Sequence, residues 1–402
     1  MKTNWLIVGA GFTGAVLAER IASQLNQKVL IIDQRDHIGG NAYDYYDEHG
    51  VLIHKYGAHI FHANSPRIWE YVSQFTSWRP YFHEVQAQVE GKLVPVPFNL
   101  NSLHALFPRT MAERLEQRLI ERFGFGTKVP ILKMLEDDDN ELKELAKYVY
   151  RNVFESYTLK QWGLKPEELD SSVTGRVPIY VSRDNRYFQD TFQGIPRQGY
   201  TEMFRRMLSH PNIQILLKAN HADVAQHVKF DRMIFTGAID EYFNYIHGPL
   251  PYRSLRFDLR HELVNQFQAV SVVNYPNEYQ FTRVLEYKQF SGQNLPGTTL
   301  AYEYPEAYEP GVNTPYYPIP REQNREKYSL YQREAEKLNG SVIFAGRLAD
   351  YKYYNMDQAV GRALKVFAEQ INNPGQTPVE TSDLGTLASR LASSVPQLVD
   401  KV

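Results

Sequence analysis

Two histidines stand three positions apart in "YGAHIFH", at His59 and His62. On a helix that spacing could pair metal ligands, but no cysteine or acidic residue stands at a matching interval, so no metal site is expected. The stretch follows an extended, aromatic-rich segment and reads either as buried histidines or as a loop turned towards a bound cofactor. A second group, "NVFESYTLKQWG", gathers Phe154, Tyr157 and Trp162. Their spacing is that of a helix face packed into a core; the same rings could also stack on a planar base, worth roughly 1–3 kcal/mol per base. A third group is dispersed: Arg176 in "TGRVP", Tyr187 in "DNRYF", Arg283 in "FTRV", and Tyr316 with Tyr317 in "PYYPI". Surface arginines commonly pair with carboxylates to little effect, whereas guanidinium forks combined with phenol hydroxyls suit a diphosphate. No convincing pair of carboxylates for glycoside hydrolysis stands out.

These residues need a scaffold, and the chain opens on one. "LIVGAGFTGAVLAER" runs from a strand, Leu6 to Val8, through Gly9, Gly11 and Gly14 into a helix. In G-x-G-x-x-G the first glycine allows a tight turn, the second lets a pyrophosphate approach the backbone, and the third lets helix and strand pack closely. The unpaired N–H groups and positive dipole end of the helix then face the phosphates. A second strand, "KVLIID", ends on Asp33, where a carboxylate can accept hydrogen bonds from a ribose. NAD and FAD both satisfy this pattern. "DQRDHIGGN" follows, with Gly39 and Gly40 placed for a second close approach; it resembles the FAD-binding segment of glutathione-reductase-like flavoproteins, particularly their amine-oxidase-like branch. Far downstream, "SVIFAGRLADYKYYNMDQAVGRAL" reads as a buried strand ending at Gly346, a loop, and a helix starting near Met356 and Asp357. A returning strand and a second helix N-terminus are what a long dinucleotide requires, and FAD is the expected cofactor.

Composition narrows the partners. The chain has 402 residues, 43% hydrophobic and 22% charged, which is enough for two or three modules around real cores. A net charge of −2 supplies no general field for nucleic acid or anionic membrane, so an anionic ligand must meet a local cluster of cations. The absence of cysteine excludes disulfides and thiolate chemistry and fits a reducing cytoplasm. The apolar run from Trp5 to Ala18 is punctuated by glycines and continues into Glu19 and Arg20, so it reads as a first βα unit and not as a signal peptide. No later apolar stretch is long enough to span a bilayer. Because the two cofactor segments lie at opposite ends of the chain, the FAD domain must be discontinuous. Between its pieces, Leu103 to Gln161 carries helical periodicity, with "EDDDNE" as a solvated helix entry. "VQAQVEGKLVPVP", "FQAVSVVNY" and "QFTRVLEYKQF" alternate as antiparallel strands do. "AYEYPEAYEPGVNTPYYPIP" reads as a proline-rich loop, and the tail after Pro374 lacks periodicity.

The segments "VGAGFTGAVLAER", "DQRDHIGGN", "YGAHIFH", "SYTLKQWG", "NRYFQDTFQGIPRQGYT", "PYYPI" and "FAGRLADYKYYNMD" occur in order. From about residue 4 to 370 the chain resembles the bacterial UDP-galactopyranose mutases. The resemblance implies an α/β fold: a discontinuous Rossmann-like FAD-binding domain (1–80, 200–250 and 325–375), an inserted helical domain (100–170) and a six-stranded antiparallel sheet domain (81–99, 171–199 and 251–324), followed by a tail (376–402). It also implies residue roles. Arg176 and Arg283 would grip the two phosphates, with Tyr187, Tyr317 and Tyr353 adding hydroxyl contacts. Phe154, Tyr157 and Trp162 would hold the uridine, and Asn274 and Asn355 would lie near the substrate, Asn355 at the sugar end. Gly9, Gly11, Phe12, Thr13, Gly14, Asp33, Gln34, Arg35, Gly40, Asn41, Ile60, Arg347, Met356 and Asp357 would contact FAD, with His59 and His62 lining the flavin and sharing the catalytic role with the two arginines.

The implied reaction interconverts the pyranose and furanose forms of UDP-galactose. Reduced FAD acts as the nucleophile on the anomeric carbon, with no net redox change, so the enzyme is an isomerase for cell-surface polysaccharide precursors. Its partners would be a nucleotide-diphosphate sugar, an electron donor (NAD(P)H or a reductase) and a second copy in a homodimer, with neither nucleic acid nor membrane. Ala58, Val153 and Asn355 depart from residues common in the family (proline, phenylalanine and aspartate), and the stretch from Asn274 to Arg283 is one residue shorter. These departures leave UDP-N-acetylgalactosamine and dTDP-fucose open as substrates. The shared fold also leaves open a flavin oxidase or dehydrogenase, and a nucleotide-sugar sensor without catalysis.

Overall fold

Adjacent residues of the first strand, Trp5–Val8, serve opposite faces of one sheet. Ile7 joins Ile31, Ile234 and Ile343 on one side, and Leu6 joins Leu30, Ile32, Met233 and Phe235 on the other. Burial on both faces is the mark of a parallel sheet covered by helices. In the computed structural model, which describes residues 2–169 and 178–372, five parallel strands lie in the order Ile213–Leu217, Val29–Asp33, Trp5–Val8, Arg232–Phe235 and Val342–Phe344. Strand order reverses beside the first strand, and such a switch point opens a crevice at the carboxyl ends of the strands. The helices Phe12–Leu25 and Met356–Val366 pack together on the Ile7 side. Among the described residues no helix is long and apolar enough to cross a membrane.

A second sheet has seven strands, in the order Tyr317–Pro318, Tyr252–Glu262, Thr298–Ala307, Arg283–Glu286, Val272–Asn274, Val85–Val89 and Lys92–Val96. It differs from the six-stranded antiparallel sheet that the resemblance implies. One pair, Val272–Asn274 with Val85–Val89, is parallel, because a long excursion of the chain separates them. "AYEYPEA" also differs: it forms most of the strand Thr298–Ala307 despite Pro305. The neighbouring strand Arg283–Glu286 reaches only as far as Glu303, so Pro305 lies where the strand is paired on one side alone, a position that tolerates a missing N–H. Phe192–Pro196, expected within the large sheet, instead pairs with Phe61–Ala63 and Trp78–Pro80. The tail 376–402 falls outside the described residues.

Helices cover the inner face of this sheet, and Leu103, Leu115, Leu119, Leu142 and Leu145 share one core with Val85, Val94, Leu285 and Ala301. The acidic run is more than a solvated entry. Asp139 caps Asn140–Val149 by accepting from the N–H groups of Glu141 and Leu142, and it also pairs with Arg118 of the helix Arg109–Phe123. Asn140–Val149 continues through a π turn, Tyr150–Glu155, into Ser156–Trp162, closed by Gly163 in the left-handed region. A π turn inserted in an α-helix often marks a functional site, and this one carries Phe154.

The glycine turn of the first unit is a close approach of backbones. A Cβ on Gly14 would lie 1.9 Å from the Gly9 carbonyl oxygen, whereas one on Gly11 would meet only Gly40 Cα, at 3.6 Å. The two positions therefore separate folding from ligand binding. Gly14→Ala should lower the unfolding free energy of the cofactor-free protein through overpacking, by about 1–3 kcal/mol, with loss of the expected flavin. Gly11→Ala should leave that free energy within about 0.5 kcal/mol of wild type and still weaken flavin retention, as read from the visible absorbance of the purified protein.

Candidate functional site

Two cavities meet at the top of the five-stranded sheet. The first is a groove lined by Gly9, Gly11, Phe12, Thr13, Asp33, Gln34, Arg35, Gly40, Asn41, His59, Arg347 and Met356, all expected at the cofactor. Its floor is the entrance of Phe12–Leu25, where Gly11 takes the N-cap position without a capping side chain, leaving N–H groups for a ligand. Asp33 is 9% exposed and accepts hydrogen bonds from the N–H groups of Ala10 and Arg35, both at 2.9 Å, so it fixes the glycine turn as well as marking the strand end. Arg35 donates to Asn41 Oδ1 at 2.9 Å and lies over the Tyr56 ring. A glycine cradle without side chains, an uncapped helix start and an acid at the second strand end fit a dinucleotide.

Three expected cofactor residues stand elsewhere. Gly14 lies beneath the turn, packed on Gly9. Ile60 is buried and lines the second cavity. Asp357, in the first turn of Met356–Val366, lines neither; its Oδ1 is buried without a partner among the described residues, and burial raises its pKa.

The second cavity, of about 570 Å³, has the size of a site for a ligand larger than a single sugar. Phe154, Tyr157, Trp162, Tyr187, Asn274, Arg283, Tyr317, Tyr353 and Asn355 all line it, although they come from the helical run, the large sheet and the cofactor segment. Arg176 lies outside the described residues. The two cavities share His59, Arg347, Asn355 and Met356. Tyr317 and Tyr353 stack at 5.1 Å, each 6.0 Å from Trp162, and the Arg347 guanidinium lies over both tyrosine rings. Tyr316 turns away and is buried against Tyr56 and Phe257.

Arg283 is held by a residue that the sequence reading passed over. Its Nε lies 2.8 Å and its Nη2 2.7 Å from Glu303 Oε2, and Glu303 is 0% exposed. The two are cross-strand neighbours in register, which is the recoverable signal: alternation along Thr298–Ala307 puts Ala301 and Glu303 on one face. With Nε and Nη2 engaged, Nη1 has no partner among the described residues. The ion pair drives the Arg283 pKa well above its ordinary value despite burial, so the guanidinium is a fixed positive charge.

Burial keeps His54, His59 and His83 neutral. Burial lowers His59 to about 3. His59 Nδ1 lies 2.8 Å from the Gly57 carbonyl, which only accepts, so Nδ1 carries the proton and Nε2 is the acceptor. His54, buried and lowered to about 4, accepts the His59 backbone N–H at 3.0 Å and so supports that loop. His62 lies in the strand Phe61–Ala63, stacked at 3.8 Å on Phe188 with Nδ1 3.1 Å from Asp190; it lines the second cavity and not the cofactor groove expected for it. His83, 5% exposed and lowered by burial to about 3, also lines the second cavity, with Nδ1 unpartnered among the described residues. As a lone histidine in "YFHEV" it has no spacing signal. Asp190 is the one carboxylate among the described lining residues, and it is engaged by His62 and Asn64.

A family model described as UDP-galactopyranose mutase matches residues 152–353, and one described as an NAD(P)-binding Rossmann-like domain matches residues 7–75. A probable UDP-galactopyranose mutase of Klebsiella pneumoniae is 36% identical over 389 residues, covering 94% of this chain and 98% of its own. A dTDP-fucopyranose mutase of Escherichia coli is 34% identical over 376 residues, covering 92% of this chain and 98% of its own. Among solved structures, a reduced UDP-galactopyranose mutase is similar in fold, with a TM-score of 0.68 at 16% identity, covering 93% of this chain and 97% of that one.

Two outcomes follow from the charges. Arg283→Ala strands the Glu303 carboxylate and should destabilise the fold by about 3–5 kcal/mol in urea unfolding; adding Glu303→Gln should recover most of that loss without restoring nucleotide binding. His54 and His83 stay neutral in the fold but titrate near 6.5 when unfolded. Their contribution is therefore complete above that pH and declines as pH falls towards about 4 for His54 and about 3 for His83. Each should add up to about 1.4 kcal/mol per pH unit to the acid slope of stability, and His83→Gln should flatten the slope by its share.

Proposed function

The chain belongs to the UDP-galactopyranose mutase family, and from that premise we propose that it isomerises a nucleotide-diphosphate hexose between pyranose and furanose rings, with FAD held in the reduced state. The observation that carries this reading is the junction of the two cavities at His59, Arg347, Asn355 and Met356. A ligand lying along the second cavity can present its far end to the cofactor groove there. The family implies a flavin. Reduced FAD would supply the nucleophile for the anomeric carbon from the groove side of that junction. FAD would lie along Gly9, Gly11, Asp33, Arg35 and Gly40, and an external donor, NAD(P)H or a reductase, would keep it reduced.

The chain's own residues bind and stabilise charge. Phe154 and Tyr157, with Trp162, offer stacking faces for the base. Arg283, permanently charged, offers Nη1 to the diphosphate and stabilises the charge that the leaving nucleotide gains; Arg176 is proposed as its companion. Tyr187, Tyr317 and Tyr353 bring phenol hydroxyls to the same region, and Asn274 stands in register opposite Arg283. His59 Nε2, a neutral acceptor, stands ready for a sugar hydroxyl at the junction.

The similarity to the Escherichia coli dTDP-fucopyranose mutase supports a second reading, in which the nucleotide is deoxythymidine diphosphate and the sugar 6-deoxygalactose. Dithionite-reduced protein incubated with UDP-galactofuranose and, separately, with dTDP-fucofuranose should convert one of them to the pyranose form without consuming reductant, and oxidised protein should convert neither. Stoichiometric consumption of an electron acceptor would favour an oxidase. Unchanged nucleotide sugars alongside retained UDP binding would leave a sensor.

A further inference from the structure

The lysine in "SYTLKQWG" makes contacts that the binding roles above leave unused. Lys160 projects from Ser156–Trp162, and its Nζ donates to three backbone carbonyls of one connection: Tyr275 at 2.5 Å, Tyr279 at 2.8 Å and Phe281 at 3.5 Å. That connection joins the strands Val272–Asn274 and Arg283–Glu286, so its two ends are Asn274 and Arg283, paired opposite each other. Its base is closed by the Tyr275 N–H bonding to the Thr282 carbonyl at 2.8 Å. A second tie runs from Asn277 Nδ2 to the Asn152 carbonyl, at 3.0 Å, in the π turn beside Phe154. Arg253 of Tyr252–Glu262 holds the same helix from the other side, donating to the carbonyls of Gln161 and Lys160 at 3.0 and 3.3 Å.

We propose that Lys160 is a positioning residue, a latch that fixes the distance between the aromatic wall of Phe154 and Tyr157 and the Asn274–Arg283 pair. The latch does not touch the reacting atoms. It sets whether base stacking and diphosphate contact can be made by one ligand at once, so it governs affinity and leaves the chemical step to the far end of the cavity. The inference rests on a nucleotide occupying this cavity.

The charge on the latch can be titrated. Burial lowers the Lys160 pKa to about 8, against the attraction of Glu278 on the connection. Arg253 is the other charged group beside it, at the Lys160 backbone carbonyl. Burial thus opposes the charged form, and the three carbonyls offset that cost only in part. By linkage the latched state is favoured as the ammonium loses its proton, so the grip should persist as pH rises through about 8.

Lys160→Met and Lys160→Arg test the latch, with flavin absorbance as the check on folding. Loss of the charged clamp should weaken UDP binding and raise KM on the order of tenfold, with kcat changing by less than about threefold. Hydrogen exchange across residues 275–282 should speed up in the UDP-free variant. Lys160→Arg should restore most of the UDP binding that Lys160→Met loses. Wild-type UDP affinity and exchange in Lys160→Met would overturn the proposal, as would a fall in kcat at constant KM. If Lys160→Met does not accumulate, Lys160→Gln replaces it in the binding and exchange measurements, and wild-type values there overturn the latch. Failure of wild type to bind UDP at all would instead overturn the nucleotide reading, and the exchange measurement would still judge the clamp.

Discussion

Glu303, with no solvent exposure, must have its charge balanced where it stands, and Arg283 is the cation that balances it. A buried ion pair of this kind is weak evidence for stability but strong evidence for register. A slip of one residue between Arg283–Glu286 and Thr298–Ala307 would turn Arg283 to the other face and leave the carboxylate uncompensated. The same register places Asn274 opposite Arg283. It also reaches the histidine loop, since Gly57, at φ +89°, packs where a Cβ would meet Phe257 at 3.0 Å and Glu303 Oε2 at 3.6 Å. His59 and Arg283 are thus positioned from one buried carboxylate.

The site depends on the chain returning repeatedly to the same place. Phe61–Ala63 leaves the dinucleotide unit and pairs with Phe192–Pro196, and that pairing brings Asp190 to His62. Tyr353 and Arg347 arrive from the last segment of the sheet and stack with Tyr317 from the large one. The helical and large-sheet walls of the second cavity share one core, and the cofactor segment is anchored in another, so separation of the two cores would open the cavity.

Local periodicity made much of this visible in the sequence. The strand, glycine turn and helix around Gly9, the second strand ending at Asp33 and the helix beginning at Met356 are short-range patterns, and the structure has them. The π turn at Phe154 was not visible, because i to i+5 bonding has no distinct hydrophobic period. Neither was the strand through Pro305, where a residue that usually breaks a ladder is accommodated by one-sided pairing. Lys160 binds carbonyls more than a hundred positions away in the chain, and carbonyls carry no sequence identity. Glu303 is the instructive omission: it lies on the same face of its strand as the buried Ala301, and a carboxylate in such a place demands a cation across the ladder.

A dinucleotide-binding sheet is shared by enzymes that remove hydride from substrates, so the fold leaves the use of the cofactor undecided. The second cavity is what discriminates. Its described wall holds a fixed guanidinium, a second one over paired tyrosines, and histidines kept neutral by burial. Its one carboxylate is already engaged. Such a wall can bind a strongly anionic ligand and stabilise its departure as an anion, and its one carboxylate is not free to act as a nucleophile. The adjoining groove is where a bound cofactor would meet a sugar at the end of this cavity. Displacement of a nucleoside diphosphate is the step that this distribution of charge favours.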